Sequence, residues 1–542
     1  MITGPFPGTT LKEGRGVRKG CVAWGVTLAL AGLAAAQSPA LISYSAPEFL
    51  TFRDLLSLSD TAHPAGQLYL DLWRILYTPF LSNEAWIRGS RPHRPVRNGF
   101  GPVIRACQWN IEGGRQLGLI RLALTDPAGF EAEAAKGKPN EPEALKAIRT
   151  EIELLREADV VVLNEVDLGL RRTDYRDVAR ELAQALHMNY AYGVEFVEVD
   201  KLVMGQEQHQ LDDPQLRTKL KKALEVDPLR YRGLQGSAIL SRYPIRSARI
   251  HRLVQCYDWY GKEKEAIAAI EKGKRLAASR VFLERISREL RHGNRIALIA
   301  DIEVPESPTG LVTVANTHLE NKCSPECRRA QMADVLLAIR DIANPVILAG
   351  DLNTNGHSVA PTSIRMEITK RLDDPEFWIH EVLFWFAGPA SIPQALMLPT
   401  NYFKNYHDPT ARDVVLLGRN PESDLFRLLE HFRFRDGLAF DFRGNLAGDG
   451  GNKTLANSNE RAKKGFKPTY QFERDFGGLV GTFKLDWFVI KPLIDHPRKL
   501  SGSYRLAPVY ARTLSELNRA LPDRRLSDHD PIIVDLPLKP PR

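Results

Sequence analysis

From Val103 onward, short apolar runs alternate with segments whose apolar residues recur at helical spacing, and this alternation constrains the fold more than any other feature. The clearest run is Asp159–Val166, where four consecutive apolar residues predict a strand that is buried on both faces. The segment before it, 143–157, carries its apolar residues on one side of a predicted helix. Strands separated by amphipathic helices are typical of α/β proteins, so we expect that fold class.

Polar or charged residues end many of these predicted strands. In α/β folds the strand ends are where ligands bind and where a rigid backbone can hold catalytic groups. We therefore interpret the residues together as a candidate site, although each one alone is compatible with a turn, a loop cap or a core histidine. They are Asn110, Glu165, His318, Asp351, Asn353, Asp486, Asp528 and His529.

The turn Ser527–Pro531 is the most informative of these strand ends. Asp528 offers a hard oxygen ligand, and His529 offers a titratable proton carrier on the adjacent residue. The apolar run 532–534 follows at once, which predicts a rigid entry into a buried strand. Taken alone, such a turn is more often an ordinary exposed one, so its interpretation depends on the rest of the set.

The composition is that of an ordinary globular protein, with 43% hydrophobic and 26% charged residues, and 542 residues exceed one minimal domain. The net charge of +8 favours anionic partners such as phosphodiesters or acidic lipid surfaces, but it is modest for this length. Five cysteines exclude a disulfide scaffold, and no paired CxxC spacing indicates zinc. Cys323 and Cys327 could bridge in an oxidising compartment or remain as thiols, and Cys107 is expected in the core.

The first 98 residues carry a targeting pattern and an extension. Residues 1–36 have basic residues, a short apolar stretch and a small-residue end, as signal peptides do. The stretch is shorter than the roughly 20 apolar residues that a membrane-spanning helix needs. We expect a periplasmic or secreted protein if this signal is genuine and a cytoplasmic one otherwise. Residues 37–98 are predicted to form a helical extension and a linker.

Seven short motifs, in this order, resemble those of the endonuclease/exonuclease/phosphatase superfamily, which includes deoxyribonucleases, neutral sphingomyelinases and inositol polyphosphate phosphatases. The motifs are Trp109-Asn110-Ile111, Leu163-Asn164-Glu165-Val166, Gly236 through Ser241, Thr317-His318-Leu319-Glu320, Gly350-Asp351-Leu352-Asn353, Leu485-Asp486-Trp487 and Ser527-Asp528-His529-Asp530-Pro531. Each is weak alone, but their order is specific. The resemblance implies a four-layer sandwich of two packed mixed β-sheets flanked by helices. It implies a catalytic domain over 99–542, with insertions at about 197–230 and 356–480.

The resemblance also implies a divalent metal ion. Glu165 would bind it, with Asn110 and Asp528 close to the ion. Mg²⁺ is expected and Mn²⁺ is an alternative, because a hard ion accepts one or two carboxylates, keeps waters and takes phosphate oxygens.

For the remaining residues, the resemblance implies roles around a phosphate ester. His529 would act as the base, oriented by Asp486. Asp351 and Asn353 would position or protonate groups around the nucleophile and the leaving group, and His318 matches a phosphate-contacting histidine.

The expected function is metal-dependent hydrolysis of phosphate esters, most of all of phosphodiesters. The basic balance favours a nucleic acid, whereas the motif at 317–320 and an aromatic patch at 377–386 favour a phospholipid headgroup, with weak membrane contact. The alternatives are a phosphomonoesterase acting on a soluble or inositol phosphate, and a noncatalytic protein that binds a phosphate ligand and keeps the fold. No obligate protein partner is expected.

Overall fold

The computed structural model describes residues 40–137, 141–201, 204, 226–264, 290–354, 422–441, 458–462, 465–471, 482–492, 508–522 and 524–538. Residues 41–542 form one compact unit, distinct from residues 1–40. The predicted signal peptide, the aromatic patch at 377–386 and most of both predicted insertions lie outside the described residues.

The described residues form strands and helices whose bounds follow. The strands are β1 (Tyr44–Ser45), β2 (Phe80–Ser82), β3 (Val96–Arg97), β4 (Gly101–Gly113), β5 (Val160–Leu168), β6 (Asn189–Glu198), β7 (Leu234–Ser241), β8 (Ile245–Arg252), β9 (Arg291–Gly293), β10 (Ile296–Glu303), β11 (Leu311–Thr317), β12 (Val346–Asp351), β13 (Arg461–Ala462), β14 (Gly465–Phe466), β15 (Tyr470–Gln471), β16 (Thr482–Phe483), β17 (Asp486–Lys491), β18 (Tyr510–Thr513) and β19 (Ile532–Pro537). The helices are α1 (Phe52–Asp60), α2 (Gly66–Tyr77), α3 (Glu84–Ile87), α4 (Leu117–Thr125), α5 (Pro127–Gly137), α6 (Pro142–Arg156), α7 (Val178–Leu186), α8 (Pro325–Ile339), α9 (Ser423–His431) and α10 (Ser515–Asn518), with a 3₁₀ turn at Arg171–Thr173.

Two large mixed sheets contain most of these strands. The first has the order β1-β2-β6-β7-β5-β4-β19-β18, with β3 paired to β4 and β9 paired to β6. The second has the order β17-β12-β11-β10-β8. Strand β4 is parallel to β5 and β11 is parallel to β12, while the other pairings within these sheets are antiparallel.

The two sheets pack face to face across a shared apolar layer. The first sheet contributes Ile104, Val160 and Ile239 to this layer, and the second contributes Leu298, Val314, Ile347 and Phe488. These residues alternate along their strands with others that face outward, because successive side chains of a strand point to opposite faces. Both sheets are therefore apolar on both sides.

Helices cover the outer faces of both sheets. On the first sheet, the predicted apolar side of α6, with Ile148 and Ile152, packs into one core with α4 and α7. Helix α7 begins at Asp177, whose side chain accepts a hydrogen bond from the backbone N–H of Arg180. On the second sheet, α8 and α9 form a separate outer core, which includes Val335. The arrangement is helix, sheet, sheet, helix, so the predicted four-layer α/β sandwich is confirmed.

The bonding of three cysteines near the start of α8 differs from both alternatives considered for the sequence. Cys327 forms a disulfide with Cys256, with Cα atoms 5.8 Å apart, so neither a Cys323–Cys327 bridge nor two free thiols is correct. Cys323 is not part of a disulfide. The spacing within the sequence drew attention to the nearer pair, whereas the fold brings the segment after β8 against α8. Cys107 is buried in the core, as predicted.

None of the helices in the described residues has the length and apolar character needed to span a bilayer.

Candidate active site

One end of the space between the sheets is polar, and the strand register explains why. On β4, Ile104 and Ala106 face the second sheet, and Gln108 and Asn110 continue the same face. The other strands change from apolar to polar in the same way. The inner-facing polar residues at their ends are Asn164 on β5, Asn316 on β11, Asp351 on β12 and Asp486 on β17. The site is therefore an extension of the core register in which polar residues replace apolar ones.

His529 lies at the centre of this polar end, paired with Asp486. Nδ1 of His529 is 2.8 Å from Oδ2 of Asp486, and both side chains are buried. The other oxygen of Asp486 accepts a hydrogen bond from Nε2 of Gln108 at 2.9 Å. The hydroxyl of Thr469 accepts the backbone N–H of Asp486. Nε2 of His529 points to the opposite side, 3.6 Å from Oδ2 of Asp351.

The turn that carries His529 is fixed at several points. The hydroxyl of Ser527 donates to the backbone carbonyl of Asn110 at 2.7 Å and accepts the backbone N–H of His529 at 3.1 Å. Asp530 accepts hydrogen bonds from Asn518 at 2.7 Å and from Arg519 at 2.6 Å. Asp530, for which no role was predicted, thus holds the turn in place.

Asp351 and Asn353 meet the same site from the second sheet. Oδ2 of Asp351 accepts a hydrogen bond from Asn110 at 3.1 Å, and Oδ1 accepts the backbone N–H of Asn353 at 2.9 Å. Asn353 has a φ of +47° and donates its amide to the carbonyl of Leu319 at 2.8 Å. Gly350 precedes them with a φ of +151°, and a Cβ there would lie 1.8 Å from the carbonyl oxygen of Thr317. Only glycine lets β12 approach β11 this closely.

Burial and neighbouring charge shift the two aspartates beside His529 in opposite directions. Burial raises the pKa of Asp351 to about 7, with a further increase from the Asp486 carboxylate, against the lowering effect of His529. Burial also acts to raise the pKa of Asp486, but His529 and the hydrogen bonds of the pair outweigh it, so that this pKa is lowered. Burial opposes the charged form of His529, yet both carboxylates together raise its pKa well above the usual value. Asp486 is therefore the ionised partner, and Asp351 can carry a proton near neutral pH.

Glu165 and Asp528 bring two further carboxylates to the mouth of the site. A β-bulge in β5 after Leu163 and a φ of +50° at Glu165 turn this residue out of the sheet register. Oε1 of Glu165 accepts a hydrogen bond from Asn110 at 3.1 Å. Burial raises the pKa of Asp528, and the Glu165 carboxylate raises it further, against the effect of His529. The two carboxylates therefore repel one another across the site.

His318 is buried on the far side of Asp351. Its Nε2 is 3.6 Å from Oδ2 of Asp351, and its Nδ1 is 2.7 Å from Nη1 of Arg295. The same guanidinium nitrogen donates to Glu195 at 2.9 Å. Burial and the charge of Arg295 lower the pKa of His318 well below the usual value. This histidine is accordingly neutral.

Comparison with known families agrees with this geometry. Residues 107–373 match the profile of the Endonuclease/Exonuclease/phosphatase family. This stretch of the chain is similar to that family. At the level of the family, the match supports phosphoester hydrolysis. A comparison with curated proteins finds no significant match.

Solved structures with a similar fold come from several organisms. An endonuclease/exonuclease/phosphatase protein from Beutenbergia cavernae is 18% identical, with 81% of this chain and 72% of that chain covered and a TM-score of 0.36. The human Nocturnin catalytic domain is 15% identical, with coverages of 80% and 93% and a TM-score of 0.32. The 3′ phosphatase NExo from Neisseria is 13% identical, with coverages of 80% and 99% and a TM-score of 0.34. These low values add nothing to the family match.

The oxygen atoms at the mouth of the site fit a hard divalent cation. Glu165 and Asp528 supply carboxylate oxygens, and Asn110 supplies an amide oxygen. This amide oxygen accepts one hydrogen bond, of 3.1 Å, from the backbone N–H of Glu112. Burial first and the Glu165 carboxylate second raise the pKa of Asp528, and a bound cation would relieve the repulsion between the two carboxylates. The proximity of these two half-buried carboxylates is the observation that favours a cation here.

A second set of ligand atoms lies deeper in the site. Asp351, Asp486 and His529 offer one atom each, all within 4.8 Å of one another. However, Nδ1 of His529 and Oδ2 of Asp486 are already joined by a 2.8 Å hydrogen bond. An ion bound there would have to replace this bond, so the shallow set fits a cation better.

The structure thus brings the sequence-predicted residues to one end of the sandwich, and it adds others that carried no recognised motif. Gln108 and Asn164 support the two aspartates: Asn164 accepts the backbone N–H of Asp351 at 2.9 Å. Both sit on the inner register of their strands, so the period of two could have identified them. Arg295, Glu195 and Tyr470 had no such signal. Tyr470, whose ring lies 4.8 Å from that of His529, belongs to a segment interpreted as an insertion.

Proposed function

We propose that the protein is a divalent-metal-dependent phosphodiesterase whose general base is His529. The observation that carries this proposal is the buried His529–Asp486 pair beside the two facing carboxylates of Glu165 and Asp528. An anionic phosphate ester would be repelled by so many carboxylates without a compensating cation. The family match supports phosphoester hydrolysis, and this donor set supports the metal dependence.

His529 removes a proton from the attacking water. In the neutral form of His529, Nδ1–H is directed to the Asp486 carboxylate and the lone pair of Nε2 faces the reacting groups. Because Asp486 and Asp351 outweigh burial and raise the pKa of His529, this form is populated on the alkaline side of the usual histidine range. Asp486 is in turn fixed by Gln108 and by the hydroxyl of Thr469. A base that is held in one tautomer and one orientation loses little entropy when it acts.

Asp351 and Asn353 act on the leaving-group side. The carboxyl of Asp351, with its pKa raised to about 7, can deliver a proton to the departing alkoxide, and it lies between Nε2 of both histidines. The backbone N–H of Asn353 holds its other oxygen at 2.9 Å. His318 contacts a phosphate oxygen from the opposite side.

Glu165 and Asp528 would hold the metal ion, with Asn110 beside them. Mg²⁺ is the expected ion and Mn²⁺ an alternative, since all three side chains offer hard oxygen ligands. A bound divalent ion supplies neutralisation of the charge that develops on the phosphate oxygens.

The test is hydrolysis with Mg²⁺ or with EDTA on parallel substrates: plasmid DNA, RNA, sphingomyelin, an inositol phosphate and a chromogenic phosphodiester. We expect metal-stimulated cleavage of at least one diester and its loss in Glu165→Gln, a nearly isosteric change. Glu153→Gln, an exposed glutamate of α6, is the matched control and should keep full activity.

Three outcomes would contradict the proposal. Full activity of Glu165→Gln and His529→Ala in Mg²⁺ would refute the assigned roles. Tight binding of a phosphate ligand without any metal-stimulated cleavage across the panel would instead favour a noncatalytic binding protein with the same fold. Cleavage of the inositol phosphate alone would indicate a phosphomonoesterase.

A further inference from the structure

We propose that Arg295 is a positioning residue that holds His318 as a neutral imidazole with its proton on Nε2, so that His318 donates a hydrogen bond to the substrate and takes no part in proton transfer. The role in the reaction rests on the proposed function. The tautomer itself does not, because it follows from contacts within the folded chain.

The contact between Arg295 and His318 determines the tautomer. Nη1 of Arg295 lies 2.7 Å from Nδ1 of His318. A guanidinium has five N–H donors, no acceptor and no accessible deprotonated form in proteins. Nδ1 must therefore be the acceptor, and the ring proton must be on Nε2.

The proton on Nε2 is directed into the active site. Nε2 lies 3.6 Å from Oδ2 of Asp351, too far for a direct hydrogen bond but on the same side as Nε2 of His529. A donor at this place can contact an oxygen of a phosphate group that binds beside Asp351, on the side shared by both Nε2 atoms. Preorganised donors of this kind act without reorientation when charge develops on the substrate.

Arg295 is itself held rigidly by two buried glutamates. Its Nη1 donates to Glu195 at 2.9 Å, and its Nε is 3.5 Å from Glu320. Glu195 also accepts the hydroxyl of Ser237, and Glu320 accepts the indole N–H of Trp259 at 2.8 Å. Both carboxylates, of Glu195 and Glu320, are therefore fixed, and they hold the Arg295 guanidinium in one orientation relative to His318.

Glu195 would favour the opposite tautomer of His318 if Arg295 were absent. Its Oε2 is 3.9 Å from Nδ1 of His318, so it is the next partner available to this ring nitrogen. A carboxylate at Nδ1 would draw the proton of the neutral ring there and leave Nε2 as an acceptor, as in the neutral form of His529 beside Asp486. By standing between Glu195 and His318, Arg295 sets the histidine to donate.

The first test is nitrogen NMR spectroscopy of the full chain labelled with ¹⁵N-histidine, without substrate. The His318 signals are assigned by their loss in His318→Gln. We expect an unprotonated Nδ1 and a protonated Nε2 in the wild type. A protonated Nδ1, or protons on both nitrogens, would overturn the proposal even if the protein hydrolyses phosphate esters as expected.

The second test compares kinetics of variants on the chromogenic diester. His318→Gln keeps an N–H near the position of Nε2 and should lose about tenfold in kcat, whereas His318→Leu should lose about 10²-fold, as for removal of one preorganised donor. Equal losses in the two variants would refute the donor role. If no variant and no wild type hydrolyses any diester, the proposed function fails while the tautomer result stands on its own.

The third test concerns Arg295 directly. Arg295→Lys keeps a donor and a charge and should retain the Nε2–H tautomer, while Arg295→Met exposes Nδ1 to Glu195 and should move the proton to Nδ1. Arg291→Lys is the matched control, because Arg291 is a buried arginine four residues away that bonds Gln235. It should leave the His318 spectrum unchanged. An Nδ1–H tautomer in Arg295→Lys, in a protein with unchanged circular dichroism, would contradict the assignment, and this holds even if Arg295→Met fails to fold.

Discussion

Two buried histidines face the same aspartate oxygen and have opposite surroundings. His529 and His318 are 4% and 1% exposed, and Nε2 of each lies 3.6 Å from Oδ2 of Asp351. Nδ1 of His529 meets the carboxylate of Asp486, whereas Nδ1 of His318 meets the guanidinium of Arg295. Burial disfavours both cations, but the Asp486 and Asp351 carboxylates outweigh it and raise the pKa of His529. The pKa of His318 is lowered by burial and by the charge of Arg295. The chemistry of each imidazole is thus set by the charge behind it.

The supports behind the two histidines also differ. The turn of His529 is held by hydrogen bonds of Ser527 to β4 and of Asp530 to Asn518 and Arg519 at the end of α10. His318 depends on a chain of contacts through Arg295 and Glu320 to Trp259, in the segment that the disulfide joins to α8. Disturbing one support should therefore leave the other histidine in place.

The largest effect is expected from removal of the base. His529→Ala should lower kcat by about 10² to 10⁴, the contribution of a positioned proton carrier, with little change in KM. The measurement is steady-state hydrolysis of the chromogenic phosphodiester in Mg²⁺. His63→Ala, an exposed histidine after α1, is the control. A loss under tenfold would mean that another group takes the proton.

Asp486→Asn tests the carboxylate behind His529 without changing its shape. The amide cannot compensate an imidazolium and can present its NH₂ group to Nδ1, so the lone pair would no longer be fixed at Nε2. We expect kcat to fall by about 10². In the same NMR experiment, the His529 tautomer should change and the His318 tautomer should not. A change at both histidines would show that the two supports are coupled.

Removal of the disulfide probes only the His318 side. The bridge closes a loop with a sequence separation of 71, for which chain entropy gives about 4 kcal/mol of stability. Cys256→Ala/Cys327→Ala should lose about this much in the free energy of unfolding, measured with denaturant, and only a few-fold in kcat. Cys323→Ser, which changes a cysteine that is not part of a disulfide, is the control. An unchanged stability would contradict the bridge.

The fold and most of the candidate site could be predicted because they follow from local pattern. Apolar spacing predicts a strand at Asp159–Val166 and a helix at 143–157, and the structure has them at Val160–Leu168 and Pro142–Arg156. Strand-end residues such as Asp351 are identified by their position after such runs. The disulfide and the Arg295–His318 contact could not be predicted, since they join residues that are far apart or lack a motif. In the sequence, no motif distinguishes Arg295 from the other arginines. Its role follows from its contacts with Glu195 on β6 and with His318, which only the structure shows.

The smallest expected effect is on stability and concerns a second buried basic residue of the site, Lys484. It contacts Asp486, as Arg295 contacts His318. Its ammonium donates to the backbone carbonyl of Asp486, and burial lowers the pKa of Lys484 to about 7, against the raising effect of Asp486. Between about pH 7 and the ordinary value near 10, the unfolded chain therefore binds more protons than the folded one, and stability must rise with pH. Relative to Lys484→Met, the wild type should gain at most about 1.4 kcal/mol in the free energy of unfolding per pH unit across this range. Denaturant unfolding at a series of pH values measures this, with Lys146→Met, an exposed lysine of α6, as the control. A pH-independent difference would mean that Lys484 stays charged in the folded protein. Each histidine would then have a permanent positive charge near its Nδ1 side, and the two sites would differ only in the Asp486 carboxylate beside His529.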